Sequence, residues 1–255
     1  MSLHHTSTLQ RFRQHREAWS TNAALRALYA YWYAEVEAAL AGALRGRVVE
    51  LGSGPGIAKQ FLPGILTSDI VRAPWHDYEI DITETWPFSD ETLDGIVVFD
   101  VLHHVSVPRI LFSEATRTLR PAGRLVVMEP YVSLCSYLVY RFLHDEKQGF
   151  DTSVSPLTLQ SSPDKDPFVG NQALPGLVFG RYRPLFQRQF PELRLLGTKL
   201  YSGLSYVTSG GFSRPCLLPY PAWSGLFWLD RGLPRSIAHL TAFRMLAVLE
   251  RAQLG

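Results

Sequence analysis

A short apolar run that ends in a glycine-rich turn constrains this chain more than any other feature of its sequence. Residues 47–51 read Arg-Val-Val-Glu-Leu, and residues 52–56 read Gly-Ser-Gly-Pro-Gly. β-branched apolar residues favour an extended strand, and clustered Gly and Pro end one. Residues 57–62 contain no Gly or Pro and are compatible with a helix. The pattern predicts a strand, a tight turn and a helix, which is the opening unit of a parallel α/β sheet.

The same alternation recurs along the chain. The predicted strands lie at 47–51, 65–70, 77–82, 93–100, 124–129, 193–200 and 242–249. A helix is predicted over 107–119, ended by Pro121 and Gly123. Alternating strands and helices imply a mostly parallel, seven-stranded α/β sheet with helices on both faces. The Ser-, Pro-, Asp- and Gly-rich stretch 151–180 predicts a partly irregular insertion.

Composition limits the class of protein. The 255 residues include 46% hydrophobic residues and carry a formal net charge of +2, so we expect one globular domain and no nucleic-acid partner. The two cysteines, Cys135 and Cys216, offer no metal or disulfide pattern, and cytoplasm is the default compartment. No run of about 18 apolar residues predicts a membrane span. Residues 11–16 are basic, which resembles a transit peptide, but a solvated helix face is the preferred interpretation.

The spacing of the glycines separates two kinds of nucleotide site. A dinucleotide site favours G-x-G-x-x-G, which would place its third glycine at position 57, where this chain has Ile57. Asp69 ends the second predicted strand and Asp81 lies near the end of the third, so they are candidates to bind a ribose and an adenine amino group. The phosphate-loop motif G-x-x-x-x-G-K-[ST] is missing from the sequence. The residues predict an adenosine site without phosphates.

Five motifs in order resemble one family, the class I S-adenosylmethionine (SAM) dependent methyltransferases, and within it the ubiquinone/menaquinone-type branch. The motifs are Val49-Glu50-Leu51-Gly52-Ser53-Gly54-Pro55-Gly56, Asp69, Asp81-Ile82, residues 99–105 (Phe-Asp-Val-Leu-His-His-Val) and residues 119–125 (Leu-Arg-Pro-Ala-Gly-Arg-Leu). The resemblance runs from about Val48 to Glu129. It implies a Rossmann-like fold, SAM as cofactor and S-adenosylhomocysteine as product.

The resemblance also implies the residues of the cofactor site. Glu50 and the glycine turn would lie near the methionine part, Asp69 on the ribose and Asp81 at the adenine. The complete implied set is Glu50, Gly52, Ser53, Gly54, Pro55, Gly56, Asp69, Ile70, Asp81, Ile82, Phe99, Asp100, Val101 and His104.

Two adjacent histidines are the candidates for a catalytic base. Methyl transfer from SAM needs mainly alignment of the acceptor, but a hydroxyl acceptor would gain from a base, and His titrates near neutral pH. We therefore consider His103 and His104, and expect their side chains to diverge because neighbours on a helix do not share a face. No metal is expected, since His144-Asp145-Glu146 is better explained as a charged helix face.

The acceptor is expected to be a small molecule that is apolar or lipid-linked, methylated at oxygen or carbon. Tyr33, Glu129 and Tyr131 are the candidate substrate residues, with Tyr29, Tyr31 and Trp32 as a candidate lid. The predicted parts are an N-terminal helical cap (1–45), a cofactor-binding core (46–130) and two insertions that form the substrate region (131–192 and 203–238). The segment 212–233 interleaves aromatic, Pro and Arg residues, which is compatible with peripheral membrane contact as a hypothesis. A subdomain that packs on the sheet is the competing interpretation.

Three other functions compete with this interpretation. A SAM-binding protein without methyl transfer, regulatory or pericyclase-like, is the main alternative, because fold does not fix activity. An NAD(P)-dependent oxidoreductase is disfavoured by the glycine spacing. A nucleic-acid methyltransferase is disfavoured because residues 99–102 lack the Asn/Asp-Pro-Pro-Tyr/Phe signature. The sequence does not determine the oligomeric state.

Overall fold

A single sheet organises the described part of the protein. The computed structural model describes residues 3–142, 149–152, 157 and 170–253. The strands are β1 Val48–Leu51, β2 Leu66–Asp69, β3 Tyr78–Glu79, β4 Leu93–Phe99, β5 Leu119–Pro130, β6 Leu193–Ser202 and β7 Ala242–Arg251. Within the described ranges they form one seven-stranded sheet in the order β3-β2-β1-β4-β5-β7-β6.

The sheet is mixed in direction. β3, β2, β1, β4 and β5 pair in parallel, whereas β7 is antiparallel to both β5 and β6. The prediction of seven strands in a mostly parallel order is therefore confirmed, with β7 as the strand that makes the sheet mixed. The carboxyl ends of β1, β2, β4 and β5 meet at one edge, and the chain order reverses between β1 and β4. Ligands of open α/β sheets bind at such a reversal.

Helices cover both faces of the sheet. They are α1 Leu3–Thr21, α2 Ala23–Leu40, α3 Pro108–Thr118, α4 Leu134–Phe142, α5 Leu174–Gly176, α6 Arg183–Gln189, α7 Leu204–Ser209, α8 Tyr220–Gly232 and α9 Arg235–Thr241. One face buries Phe112 of α3 and Phe186 of α6 against β1, β4 and β5. The other buries Trp32 of α2 and Trp223 of α8. This two-sided burial explains why Val48–Leu51 is apolar at nearly every position.

The N-terminal helices are separated by a single residue. Asn22 ends α1 and caps α2, because its side-chain oxygen accepts the Leu25 N–H at 3.0 Å. The sequence predicted helices over 19–44 but assigned no bounds to α1, which extends back to Leu3. α2 ends at Leu40, followed by Ala41 and Gly42 in left-handed conformations.

Two predicted elements are shorter than expected. Residues 57–62 form only a 3-10 turn, Ala58–Gln60, because too few residues separate Gly56 from Pro63 for a regular helix. The third strand contains only Tyr78–Glu79. The Asp77 carboxylate accepts the Thr67 N–H at 2.8 Å, and the Asp81 carboxylate accepts the Thr83 N–H at 2.8 Å. These side chains replace the ladder bonds that a longer strand would make.

The remaining helices lie in the two connections around β6. α4, α5, a π-helical turn Leu177–Arg181 and α6 precede β6, and α7, α8 and α9 connect β6 to β7. Part of the predicted irregular insertion 151–180 lies outside the described residues. Among the described helices, none combines the length and the apolarity needed to cross a bilayer.

Candidate active site

The glycine turn after β1 has a backbone that only glycine tolerates. Gly52 and Gly56 have φ values of 72° and 69°. A Cβ at Gly52 would overlap the Val101 side chain, and one at Gly56 would overlap the Trp75 ring. The turn is tied to β2, since Ser53 N–H donates to Ser68 O at 2.7 Å. The backbone between β1 and β2 can therefore approach a ligand closely.

Two carboxyl groups flank this turn. Oδ2 of Asp69, at the end of β2, accepts the Gly54 N–H at 2.8 Å. Glu50, on β1, is 1% exposed; its Oε1 accepts the Tyr33 hydroxyl at 2.7 Å, and its Oε2 has no hydrogen-bond partner. Burial raises the pKa of Glu50 to about 7, against the effect of the Tyr33 hydrogen bond. Burial also raises the pKa of Asp69, against the hydrogen bond from Gly54.

No lysine or arginine of the described ranges forms an ion pair with either carboxyl group. A buried carboxyl oxygen without a partner beside a glycine turn fits a cationic ligand, because a positive charge there would favour ionisation. SAM carries both an ammonium and a sulfonium, so its chemistry fits the residues present.

Helix α1 covers the turn, which the sequence did not predict. Arg16 donates to Pro55 O at 2.7 Å and lies 4.5 Å from the centroid of the Trp75 ring. Trp75 Nε1 donates to Gly54 O at 2.9 Å. His76 Nε2 lies 2.9 Å from the same oxygen, and its Nδ1 accepts the Ala73 N–H at 3.2 Å. These contacts fix the turn from outside the recognised motifs, so pattern matching could not have found them.

The other predicted adenosine residues lie near the ends of β2 and β3. Ile70 follows β2 and is 46% exposed, an unusual position for a large apolar side chain. Asp81 Oδ1 accepts hydrogen bonds from the N–H and the hydroxyl of Thr83. Ile82 is half-buried. The structure places Asp81 in a turn rather than at a strand end.

The residues at the end of β4 make most of their contacts inside the protein rather than at an open pocket. Phe99 is 6% exposed and stacks on Tyr29 and Tyr33, with centroid distances of 5.3 and 5.0 Å. Asp100 adopts a φ of 58°. Its two carboxylate oxygens form a bidentate salt bridge with Nη1 and Nη2 of Arg244 on β7, at 2.5 and 2.7 Å. Val101 packs against Gly52. Asp100 therefore joins β4 to β7, and the aromatic residues predicted as a lid pack on the sheet.

His103 forms a buried pair with Glu129 at the ends of β4 and β5. His103 Nδ1 lies 2.6 Å from Glu129 Oε2, and the two residues are 5% and 0% exposed. Glu129 Oε1 also accepts the N–H groups of Val101 and Leu102, at 2.7 and 2.6 Å. A carboxylate that holds Nδ1–H leaves Nε2 as the proton acceptor of the ring.

The expectation that the two histidines diverge is wrong. Their ring centroids lie 3.9 Å apart, in the 3-10 turn Leu102–His104. Asn171 N–H donates to His103 O at 2.7 Å, so the chain around Gly170 passes over both rings. This segment was not predicted to contact them.

The predicted substrate residues occupy three different environments. Tyr33 is buried and donates its hydroxyl to Glu50, and Glu129 is hydrogen-bonded to His103. Tyr131 lines a cavity of about 670 Å³ at the carboxyl end of β6, whose walls come from α2, α8, α9 and the turn around Phe179. Its apolar lining comprises Leu28, Tyr31, Trp32, Phe179, Leu200, Phe227, Leu233 and Met245. Neither the glycine turn nor Asp69 lines it.

A metal centre is not formed by the described residues, in which no three His, Cys, Asp or Glu side chains cluster suitably. His144-Asp145-Glu146 lies outside the described residues.

Comparison with known proteins gives the class of this protein. Residues 49–127 match the family model described as a methyltransferase domain. No curated protein matches the chain. The chain is similar to a SAM dependent methyltransferase from Archaeoglobus fulgidus, with a TM-score of 0.54 and 12% identity over 89% of this chain and 94% of that chain.

Two further structures are similar to it. One comes from the complex between the Haloferax volcanii Trm112 methyltransferase activator and a candidate methyltransferase, with a TM-score of 0.50 and 13% identity over 99% of both chains. The other is the Burkholderia thailandensis 1,6-didemethyltoxoflavin-N1-methyltransferase with bound S-adenosylhomocysteine, with a TM-score of 0.48 and 14% identity over 98% of this chain and 87% of that one.

Residues 49–127 therefore carry a methyltransferase domain, and the described sheet has a Rossmann-like fold. The chain is a SAM-dependent methyltransferase, and SAM is its cofactor.

Proposed function

We propose that this methyltransferase acts on a small, largely apolar or lipid-linked acceptor, at oxygen or carbon, in the manner of the ubiquinone/menaquinone-type branch. The main support for the cofactor site is the pair of buried carboxyl groups on Glu50 and Asp69. Both carboxyl groups are buried, both have raised pKa values, and Glu50 Oε2 is without a partner. The positive charge of the cofactor's methionine end would stabilise ionised Glu50, and ribose hydroxyls would donate hydrogen bonds to Asp69.

The cofactor site follows the strand order. We assign Glu50 and the turn 52–56 to the methionine end, Asp69 to the ribose, and Ile70 with 81–82 to the adenine. The exposure of Ile70 supports this assignment, because a flat apolar base would cover that side chain. The division into a helical cap, a cofactor core and two substrate insertions is part of the same proposal.

The reaction needs alignment first and a base second. When bound, SAM would supply an electrophilic methyl group for in-line transfer to the acceptor, with S-adenosylhomocysteine as the leaving group. Closely packed residues around the glycine turn exclude water and restrict the approach of the acceptor, an effect worth up to about 7–11 kcal/mol in well-oriented systems. For a hydroxyl acceptor we assign His103 as the base, since Glu129 fixes its Nδ1–H and leaves Nε2 to receive the proton.

The cavity at β6 supports an apolar acceptor. Its volume of about 670 Å³ and its Leu, Met, Phe, Tyr and Trp side chains suit the apolar part of a ligand of moderate size. Lys199, Asp230, Arg231 and His239 line the same cavity and leave room for a polar group on that ligand. Tyr131 links this cavity to the end of β5, directly after Glu129 and Pro130. We therefore propose that the acceptor's apolar part occupies the cavity.

The test is a product assay with isoprenoid, phenolic and lipid-linked hydroxyl acceptors. Formation of S-adenosylhomocysteine in equal amount to a methylated product is expected. His103→Gln should lower turnover about 10²–10⁴-fold and flatten its pH dependence, whereas His239→Gln, an exposed histidine at the cavity, should not change the pH dependence. A pH dependence that His103→Gln leaves intact excludes His103 as the base.

The alternative function, SAM binding without methyl transfer, predicts a different product. Conversion of the acceptor with SAM unchanged would favour it over methyl transfer.

A further inference from the structure

Exposed apolar side chains are concentrated in the two connections around β6. Of the thirteen large hydrophobic residues that are exposed in the described part of the chain, eleven lie within 134–142 or 204–240. The eleven are Leu134, Tyr137, Leu138, Phe142, Leu204, Leu217, Tyr220, Trp228, Leu229, Ile237 and Leu240. Scattered surface apolar residues need no explanation, but such a concentration marks an interaction surface.

Helix α4 presents an apolar stripe to solvent. Leu134, Tyr137, Leu138 and Phe142 are 62, 40, 47 and 73% exposed, and their spacing of three, four and eight residues puts them on one face. The opposite face buries Ser136 and Tyr140, with Tyr140 packing against Phe243. A surface helix normally turns its apolar stripe inward, and within the described ranges only Tyr137 of the α4 stripe makes a ring contact, with Phe150 at a centroid distance of 5.3 Å.

Helices α8 and α9 also expose large apolar side chains. Trp228 and Leu229 of α8 are each 69% exposed, whereas Trp223 of the same helix is fully buried and anchors it. Ile237 and Leu240 of α9 are exposed, and α9 packs against both α4 and β6. α8 also packs against β6. α9 therefore lies beside α4, and α8 and α9 pack on the same strand and line the same cavity. We call the exposed residues of the three helices the α4–α8–α9 surface.

The exposed charged side chains of these segments are positive. Arg141, Arg214 and Arg231 are exposed. Asp230 is the one acid within 134–142 and 204–241, and it is buried with its carboxylate accepting the Ser205 N–H at 2.6 Å. The Arg231 guanidinium lies 5.3 Å from the centroid of the Trp228 ring. Apolar and aromatic side chains bordered by arginines match the interface of a bilayer that contains anionic lipids.

We propose that the α4–α8–α9 surface docks on an anionic lipid bilayer. Trp228, Leu229 and Phe142 enter the interface, and the arginines lie at the level of the headgroups. Because α8 and α9 also form walls of the cavity at β6, docking brings that cavity next to the lipid. The inference goes beyond methyl transfer and holds whether or not the acceptor is a lipid.

Vesicle co-sedimentation tests the proposal with the full chain. Vesicles of phosphatidylcholine alone are compared with vesicles containing about 30 mol % phosphatidylglycerol, at low and high salt. We expect binding to the anionic vesicles, weakened by salt. The double variants Trp228→Ser/Leu229→Ser and Leu138→Ser/Phe142→Ser should each lower the partition coefficient about tenfold or more, and Arg141→Gln/Arg231→Gln should remove the preference for anionic lipid. Leu196→Ser, which changes an exposed leucine of β6, is the matched control and should bind like the wild type.

Three results would overturn the proposal. They are absence of sedimentation with either vesicle, equal binding by the surface variants and the wild type, and a wild-type dimer that Trp228→Ser/Leu229→Ser dissociates in sedimentation velocity. The dimer would assign the surface to a second copy of the chain. Circular dichroism and SAM titration of every variant separate loss of docking from loss of folding. A wild type that docks but does not bind SAM would remove the proposed function and leave docking intact.

Discussion

Nδ1 of His103 lies 2.6 Å from Oε2 of Glu129, and the same carboxylate accepts two backbone N–H groups from the turn after β4. One buried side chain on β5 thus fixes both the conformation of the turn and the orientation of the histidine. Fixing a ring nitrogen in this way determines which nitrogen can accept a proton.

Removing the Glu129 carboxylate should therefore destabilise the protein strongly. Glu129→Leu leaves several buried donors unsatisfied at about 1–3 kcal/mol each, so we expect a loss of roughly 3 kcal/mol or more in urea unfolding. Glu37→Leu, at an exposed position of α2, is the control and should change the free energy of unfolding by about 0.5 kcal/mol or less. Equal stability of the two variants would contradict the role given to Glu129.

Glu50 should make the stability of the ligand-free protein fall as pH rises. Its folded pKa of about 7 exceeds the ordinary 4.5, so its ionisation disfavours the folded state progressively between about pH 4.5 and 7. At pH 8 the effect is about 3 kcal/mol, and Glu50→Gln should remove it. Unfolding of both proteins at pH 5 and pH 8 checks this. Identical pH dependence in the two would contradict the raised pKa.

A cationic ligand should reverse this effect. A positive charge near Glu50 lowers its pKa, so binding of SAM should strengthen as pH rises towards about 7 and release a proton below that pH. Calorimetric titration in buffers of different ionisation enthalpy measures the released proton. Glu50→Gln should bind more weakly and release less. Proton uptake by the wild type would contradict the assignment.

Asp100 and Arg244 should be strongly coupled. The Arg244 side chain is 4% exposed and that of Asp100 is 30% exposed. Removing the Asp100 carboxylate leaves an unpaired buried guanidinium. Removing Arg244 leaves a carboxylate that water can solvate. We expect Asp100→Asn to cost about 3–5 kcal/mol and Arg244→Met to cost less. Asn tolerates the left-handed backbone at position 100, so strain does not confound the change. Additive effects in Asp100→Asn/Arg244→Met would show that the pair is not coupled.

Helix α1 should contribute to SAM binding through the glycine turn. Arg16→Gln removes the contacts with Pro55 and Trp75 and should weaken SAM binding several-fold. Arg13→Gln removes the same charge from an exposed position of α1 and should leave the affinity unchanged. Equal affinities of the two variants would exclude α1 from the site.

The order of the elements could be predicted because the signals are local. Val48–Leu51 and the glycines that follow need no tertiary context, and the strands at 193–202 and 242–251 were predicted within a few residues. β3 was predicted too long, because Asp77 bonds across to Thr67 of β2 and Asp81 forms a side-chain turn with Thr83, which an apolar pattern does not reveal.

The site was less predictable where contacts are distant in sequence. Asp100 was assigned to the cofactor, and its bond to Arg244 spans 144 residues. Trp75, His76 and α1 fix the glycine turn but belong to no motif. Such pairs depend on how the strands are arranged, so a single sequence does not disclose them.

Titration of the purified protein with SAM and S-adenosylhomocysteine, alongside Asp69→Asn and Glu79→Gln, tests the central claim most directly. Glu79 is exposed on the adjacent strand and pairs in register with Asp69, so Glu79→Gln removes an equal charge a short distance away. We predict micromolar-range binding by the wild type and Glu79→Gln, weakened about tenfold or more by Asp69→Asn. Equal binding by all three proteins, or none by the folded wild type, would contradict the site assigned here.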